Sequence, residues 1–113
     1  MTPEHKVLRE MYAAFNARDI ERALSGMHQD VVWANGMEGG NVHGRSGVRE
    51  YWVRQWQVID PRVDPQGFED AGGKVIVDVH QDVRDLKGKA ISDRIVRHSF
   101  VLEDSRVNVF KIV

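Results

Sequence analysis

The apolar residues change their period part-way along the chain, and this change constrains the fold more than any other feature. Before residue 60 they recur at helical spacing; after residue 74 they alternate. Leu8, Met11, Tyr12 and Phe15 follow the i, i+3, i+4, i+7 pattern of one helix face, behind Thr2 as N-cap and Pro3 at the first helical position. Ile20, Ala23, Leu24 and Met27 repeat that spacing in a short second helix capped by Asp19, and Gly26 keeps it brief. Val31-Val32-Trp33 predicts a short strand ending near Asn35-Gly36. Ser46 then offers a cap for a third helix with an aromatic stripe of Val48, Tyr51, Trp52, Trp56 and Ile59, which Asp60-Pro61 terminates.

From Lys74 the pattern is that of strands. Val75, Val77 and Val79 fall on one face, and Asp78, His80 and Asp82 on the other. A turn at Leu86-Lys87-Gly88-Lys89 leads into a long strand over about 90–102 in which His98, Phe100 and Leu102 share a face. Glu103-Asp104-Ser105 connects to a last strand through Val107, Val109 and Phe110. Pro65 and Gly67 restrict any strand between residues 61 and 70 to an irregular or edge position. Helices gathered in the amino half and strands in the carboxyl half predict an α+β fold whose sheet is an antiparallel meander.

Length and charge narrow the function. The 113 residues suit a single domain spanning 1–113. With 16 basic and 17 acidic residues, the chain lacks the broad positive footprint of a general nucleic-acid binder. No run approaches the roughly 18 to 20 apolar residues of a membrane span, and the N-terminus has no apolar signal-peptide core, so a cytoplasmic protein is expected. The absence of cysteine excludes a thiol nucleophile, a disulfide framework and a cysteine-held zinc. Residues 36–47 hold five of the ten glycines without a complete dinucleotide or phosphate-loop fingerprint, so they predict a loop that lines or covers a cavity. Arg45, Arg49 and Arg54 are accounted for by an exposed helix face. No cofactor or metal is expected.

The order of these elements resembles the nuclear transport factor 2-like superfamily, in its ketosteroid-isomerase and SnoaL-like branches. Tyr12-Ala13-Ala14-Phe15-Asn16-Ala17-Arg18-Asp19-Ile20 is similar to the family's helix junction, and Asp30-Val31-Val32-Trp33 to its first strand. Gly44-Arg45-Ser46-Gly47-Val48-Arg49-Glu50-Tyr51-Trp52 resembles its helix entry, and His98 to Val107 its penultimate hairpin. The resemblance implies a cone in which three N-terminal helices pack on a strongly curved antiparallel sheet, with a pocket at the open end and a homodimer through the sheet. It does not imply one chemistry, because such folds serve isomerases, cyclases, dehydratases, epoxide hydrolases and binding modules.

Compared position by position, the ketosteroid-isomerase machinery is not retained. That branch has an aspartate base, and a tyrosine and a protonated aspartic acid that hold the oxyanion. Here Asn35 stands in the place of the base, Met11 in that of the tyrosine, and His98 in that of the second aspartate. Tyr12 lies one residue on, about 100° around the helix.

Two readings follow. In the first, a small hydrophobic or aromatic molecule binds among Met11, Tyr12, Phe15, Trp33, Tyr51, Trp52, Trp56, Phe100 and Phe110, with His98 as acid/base and Asn35 orienting a polar group. The reaction is then cofactor-independent proton transfer: isomerisation, cyclisation or dehydration. In the second, the aromatic residues are core, Asn35 ends a strand, and the domain is a ligand-binding or dimerisation module. If the hairpin at Gly88 shifts the register, Asp78 and His80 become the acid/base pair; otherwise they lie on a solvated face or a dimer contact.

Overall fold

The computed structural model describes residues 2–113, and the predicted change of period separates two layers. Helix α1, Pro3–Asn16, starts behind Thr2, whose side chain accepts a hydrogen bond from the His5 N–H at 3.1 Å. Helix α2, Ile20–Ser25, is capped by Asp19. Strand β1 is Met27–Ala34, β2 Asn41–His43, and helix α3 Gly44–Trp56. Four long strands follow: β3 Asp60–Ala71, β4 Lys74–Arg84, β5 Ala90–Glu103 and β6 Arg106–Ile112. The sheet order is β2-β1-β6-β5-β4-β3.

The sheet is mixed, which corrects the wholly antiparallel expectation. Strand β1 lies parallel to β6, with Trp33 opposite Phe110. The physical reason is the route of the chain: β1 precedes α3, and the β3–β6 meander returns its last strand beside β1 in the same direction. Strand β2 also lay hidden in the glycine-rich segment, pairing Val42 with Trp33. Helix α3 begins at Gly44, two residues before the expected Ser46 cap, because Gly44 takes a φ of +74°. A Cβ at Gly44 would lie 3.3 Å from the Gln29 carbonyl oxygen, so the entry into α3 requires glycine twice over.

Strand β3 sits at the edge of the sheet and its register breaks between Pro65 and Gly67, as the proline and glycine required. Further irregularities at Val83/Arg84 and Val101/Leu102 bend the neighbouring strands. The helices cover the concave face. Leu8, Met11, Tyr12 and Ala14 of α1 and Val48, Tyr51 and Trp52 of α3 are buried against Val75, Val77, Val79, Phe100 and Phe110. Among the described residues no helix is long and apolar enough to cross a membrane.

The junction after α1 has a structural task. The Asn16 amide donates to the Val63 carbonyl at 2.7 Å and its oxygen accepts the Val63 N–H at 2.9 Å, so one side chain stands in for a neighbouring strand along the free edge of β3. Arg18, held at a φ of 60°, adds a bond to the Pro61 carbonyl at 2.8 Å and an ion pair with Asp60. Asp19 caps α2. The motif thereby ties the helical layer to the start of the meander, beside the open end of the cone.

Candidate functional site

Between α1, α3 and the concave face lies a cavity of about 260 Å³. Alternation along β4 and β5 sets its wall. On β5, Phe100, His98, Val96 and Arg94 line it, and on β4 Gln81 and Val83 do so beyond the buried Val75, Val77 and Val79. The β4–β5 register places His98 opposite Val77 and Arg94 opposite Gln81. The inward face of β4 is therefore the odd-numbered one. Asp78 and His80 lie on the outer face, which corrects their placement as an alternative acid/base pair. Asp78 is bonded to Arg97 at 3.0 Å and His80 to Asp93, both in solvent. The Asp93 carboxylate raises the His80 pKa there.

The expected aromatic wall is mostly present. Met11, Tyr12, Phe15, Trp33, Tyr51, Trp52, Phe100 and Phe110 all line the cavity. Trp33 stacks on Phe110 at 4.1 Å and meets Trp52 edge-on at 5.5 Å, so these rings hold one another and leave faces toward the hollow. Trp56 is the exception. It packs behind the wall against Phe15, with the Arg18 guanidinium 4.9 Å from its ring. Gly36 and Met37 bring the glycine-rich loop to the cavity, where the Gly36 N–H donates to the Tyr51 hydroxyl at 3.1 Å.

Asn35 does not line the cavity, and this corrects its role as a substrate-orienting residue. Its side-chain oxygen accepts the N–H groups of Met37 at 3.0 Å and Glu38 at 2.8 Å, and its amide donates to the Glu38 carboxylate at 3.2 Å. The side chain closes its own turn, a role that asparagine fills readily.

His98 is only 6% exposed, set edge-on to Phe110 at 4.8 Å, and its Nδ1 lies 2.7 Å from the Tyr12 hydroxyl. That contact is the feature missed in reading the sequence. Tyr12 had been judged by its match to an oxyanion tyrosine, whereas its partner is the histidine across the interior. Burial raises the Tyr12 pKa well above the ordinary phenol range and lowers that of His98 to about 4. Both groups are therefore neutral at pH 7. The phenol hydrogen has no acceptor other than His98 Nδ1 among the described residues. With Nδ1 as donor the phenol hydrogen is left without a protein partner; with Tyr12 as donor the imidazole hydrogen sits on Nε2, and His98 offers the cavity a hydrogen-bond donor.

Gln81 and Arg94 were not anticipated. The signal was available, since Gln81 continues the Val75-Val77-Val79 row and Arg94 continues the His98 face. Among the described residues no aspartate or glutamate lines the cavity. Among the described residues, His28, Glu103 and Asp104 bring potential metal-ligand atoms within 4.8 Å of one another, but they lie outside the cavity and the two acids are exposed.

The comparisons with known proteins agree with this geometry. The model of the SnoaL-like domain matches residues 8–108, and the chain belongs to that family. TerC, crystallised with polyporic acid, is 30% identical, with a TM-score of 0.88 over 99% of this chain and 91% of that one. A nuclear transport factor 2-like protein of unknown function from Burkholderia pseudomallei is 26% identical, with a TM-score of 0.88 over 100% and 91% of the two chains. An epoxide hydrolase of Mycobacterium tuberculosis, 13% identical with a TM-score of 0.81 over 97% of this chain and 80% of that one, shares the fold. No curated protein matches the chain.

The His98 environment predicts a pH effect. The unfolded chain takes up the imidazole proton near pH 6.5, and the folded chain only near pH 4. Between those values unfolding is coupled to proton uptake, so stability is lost as pH falls, by up to about 3 kcal/mol. A His98→Gln variant keeps an acceptor for Tyr12 and lacks this titration. Thermal melts between pH 7 and 4 should show a smaller loss for the variant than for the wild type; parallel losses would mean that His98 titrates normally.

Proposed function

We propose that the chain binds a small aromatic organic molecule in the cavity and acts on it without a cofactor, through a hydrogen bond from His98 Nε2 to a carbonyl oxygen. The observation that carries this reading is the neutral His98, its Nδ1 engaged by Tyr12 and its Nε2 unpartnered, on the wall of a mainly apolar hollow. Such a donor polarises a ketone and stabilises the negative charge that develops on oxygen during enolisation, ring closure or loss of a β-hydroxyl. Among the mainly apolar side chains of this wall that stabilisation exceeds its value in solution. Tyr12 orients the ring and retains its own proton. The co-crystallisation of TerC with an organic molecule supports a ligand in the same fold.

The lack of a carboxylate on the cavity wall bears on the chemistry. No built base of ordinary strength stands ready to take a proton from carbon, so the reaction proposed is isomerisation, cyclisation or dehydration of a substrate that is already acidic, its proton passing to water. The same lack favours a second reading, a binding module that holds a ligand and does not turn it over.

2-Tetralone, whose benzylic α-carbon is far more acidic than that of a simple ketone, separates the two in deuterated buffer. Quenching of Trp33 and Trp52 reports binding, the carbonyl stretch reports the hydrogen bond, and deuterium entering the benzylic position reports enolisation. The proposal expects binding, a lowered carbonyl frequency, and exchange faster than in buffer. Exchange should fall about 100-fold in the Tyr12→Phe/His98→Phe variant, which removes both polar partners and leaves neither orphaned. A lowered frequency without exchange selects the binding module, and no binding overturns both readings.

The homodimer is likewise a proposal. It rests on Ile91 and Ile95, 58% and 62% exposed on the outer face of β5. Light scattering should give twice the 12.9 kDa chain mass at micromolar concentration, and a monomer mass would remove it.

A further inference from the structure

We propose that Arg94 binds an anionic oxygen on the ligand, so that the pocket selects aromatic acids and acidic enols over their neutral analogues. This rests on the reading of the cavity as a ligand site and specifies the class of molecule it takes.

Arg94 is exposed to solvent yet lines the cavity, and among the described residues its side chain makes no hydrogen bond or ion pair. The carboxylates nearest to it along the strands are already engaged on the opposite face. Asp93 is paired with His80, Asp82 with Arg84 and Asp78 with Arg97, and alternation directs all three away from the hollow. Across the ladder Arg94 faces Gln81, a neutral side chain that competes for neither the charge nor the fork of N–H donors. Val96 precedes His98 on the same face, so the wall is apolar between the two polar groups. A guanidinium meets a carboxylate through two parallel N–H bonds.

The spacing gives the ligand its shape. His98 and Arg94 are four positions apart on β5, roughly 13 Å along the strand before the arginine's own reach shortens the gap. A flat molecule with its ring system laid against the aromatic wall therefore presents one oxygen to Nε2 at the inner end and another to Arg94 nearer the mouth. A positive charge at that place also lowers the pKa of the ligand's acidic group. This accords with a cavity that has no carboxylate base of its own, because the ligand then arrives already ionised.

Naphthoic acid and its methyl ester share one ring system and differ in charge, so the ratio of their affinities isolates the effect of Arg94. By tryptophan quenching at low ionic strength, the wild type should bind the acid at least tenfold more tightly than the ester. Added salt should reduce the preference, because the arginine is partly solvated. Arg94→Gln should abolish the preference, Arg94→Lys retain part of it, and Arg94→Glu reverse it. The Tyr12→Phe/His98→Phe variant should keep it, since the acid's recognition is assigned to the other end of the cavity. Melting temperatures of the Arg94 variants should stay close to that of the wild type, because the side chain has no partner to lose. Equal affinities in the wild type, or a preference that survives in Arg94→Gln, would overturn the assignment to Arg94 and leave the cavity reading intact. Failure of both molecules to bind would overturn the cavity reading with it.

Discussion

A buried imidazole is tolerated only if its polar atoms are provided for, and here the provision for one of them comes from a different layer of the fold. Tyr12 reaches from α1 across the interior to Nδ1 of His98 on β5, joining residues 86 positions apart through one hydrogen bond of 2.7 Å. The bond holds the ring by Nδ1, and with Tyr12 as its donor it leaves the imidazole hydrogen on Nε2 for a ligand. Desolvation then keeps the ring neutral. The chemistry proposed for the cavity follows from these steps: donation to an oxygen, with little capacity to remove a proton from carbon.

The two faces of the sheet put the same residue type in opposite electrostatic situations. His80 and His98 lie on adjacent strands. His80 faces solvent beside Asp93, and its pKa is raised; His98 lies among aromatic rings, and its pKa is lowered. Charged partners fill the outer face in pairs, Asp78 with Arg97 and Asp82 with Arg84. The concave face carries one arginine without such a partner, and this asymmetry is the ground for assigning it to a ligand.

The architecture was largely legible because it depends on periodicity and punctuation, both local properties. Thr2, Pro3 and Asp19 mark where two helices begin, and Pro65 and Gly67 keep β3 at the edge. The parallel pairing of β1 with β6 was not legible, since it depends on where a distant strand returns. Nor was the start of α3 at Gly44, which rests on a close approach to Gln29. In the site, the inward position of His98 followed from alternation with Phe100. Asn35 was misplaced because its strand position suggested a substrate contact, while its side chain satisfies the two N–H groups of the turn it begins. The importance of Tyr12 was hidden for a related reason: a helical position identifies the face a residue presents, and its partner lies on another element.

The central claim is that His98 stands neutral in the cavity with its hydrogen on Nε2. Nitrogen-15 NMR of the imidazole ring tests this directly, because the two nitrogens of a neutral ring differ widely in chemical shift and proton coupling identifies the one that bears hydrogen. The account predicts a protonated Nε2 and a bare, hydrogen-bonded Nδ1 from pH 8 down to about 5, beyond the range in which an ordinary histidine ionises. An imidazolium signal appearing near pH 6.5, or a hydrogen resident on Nδ1, would contradict it.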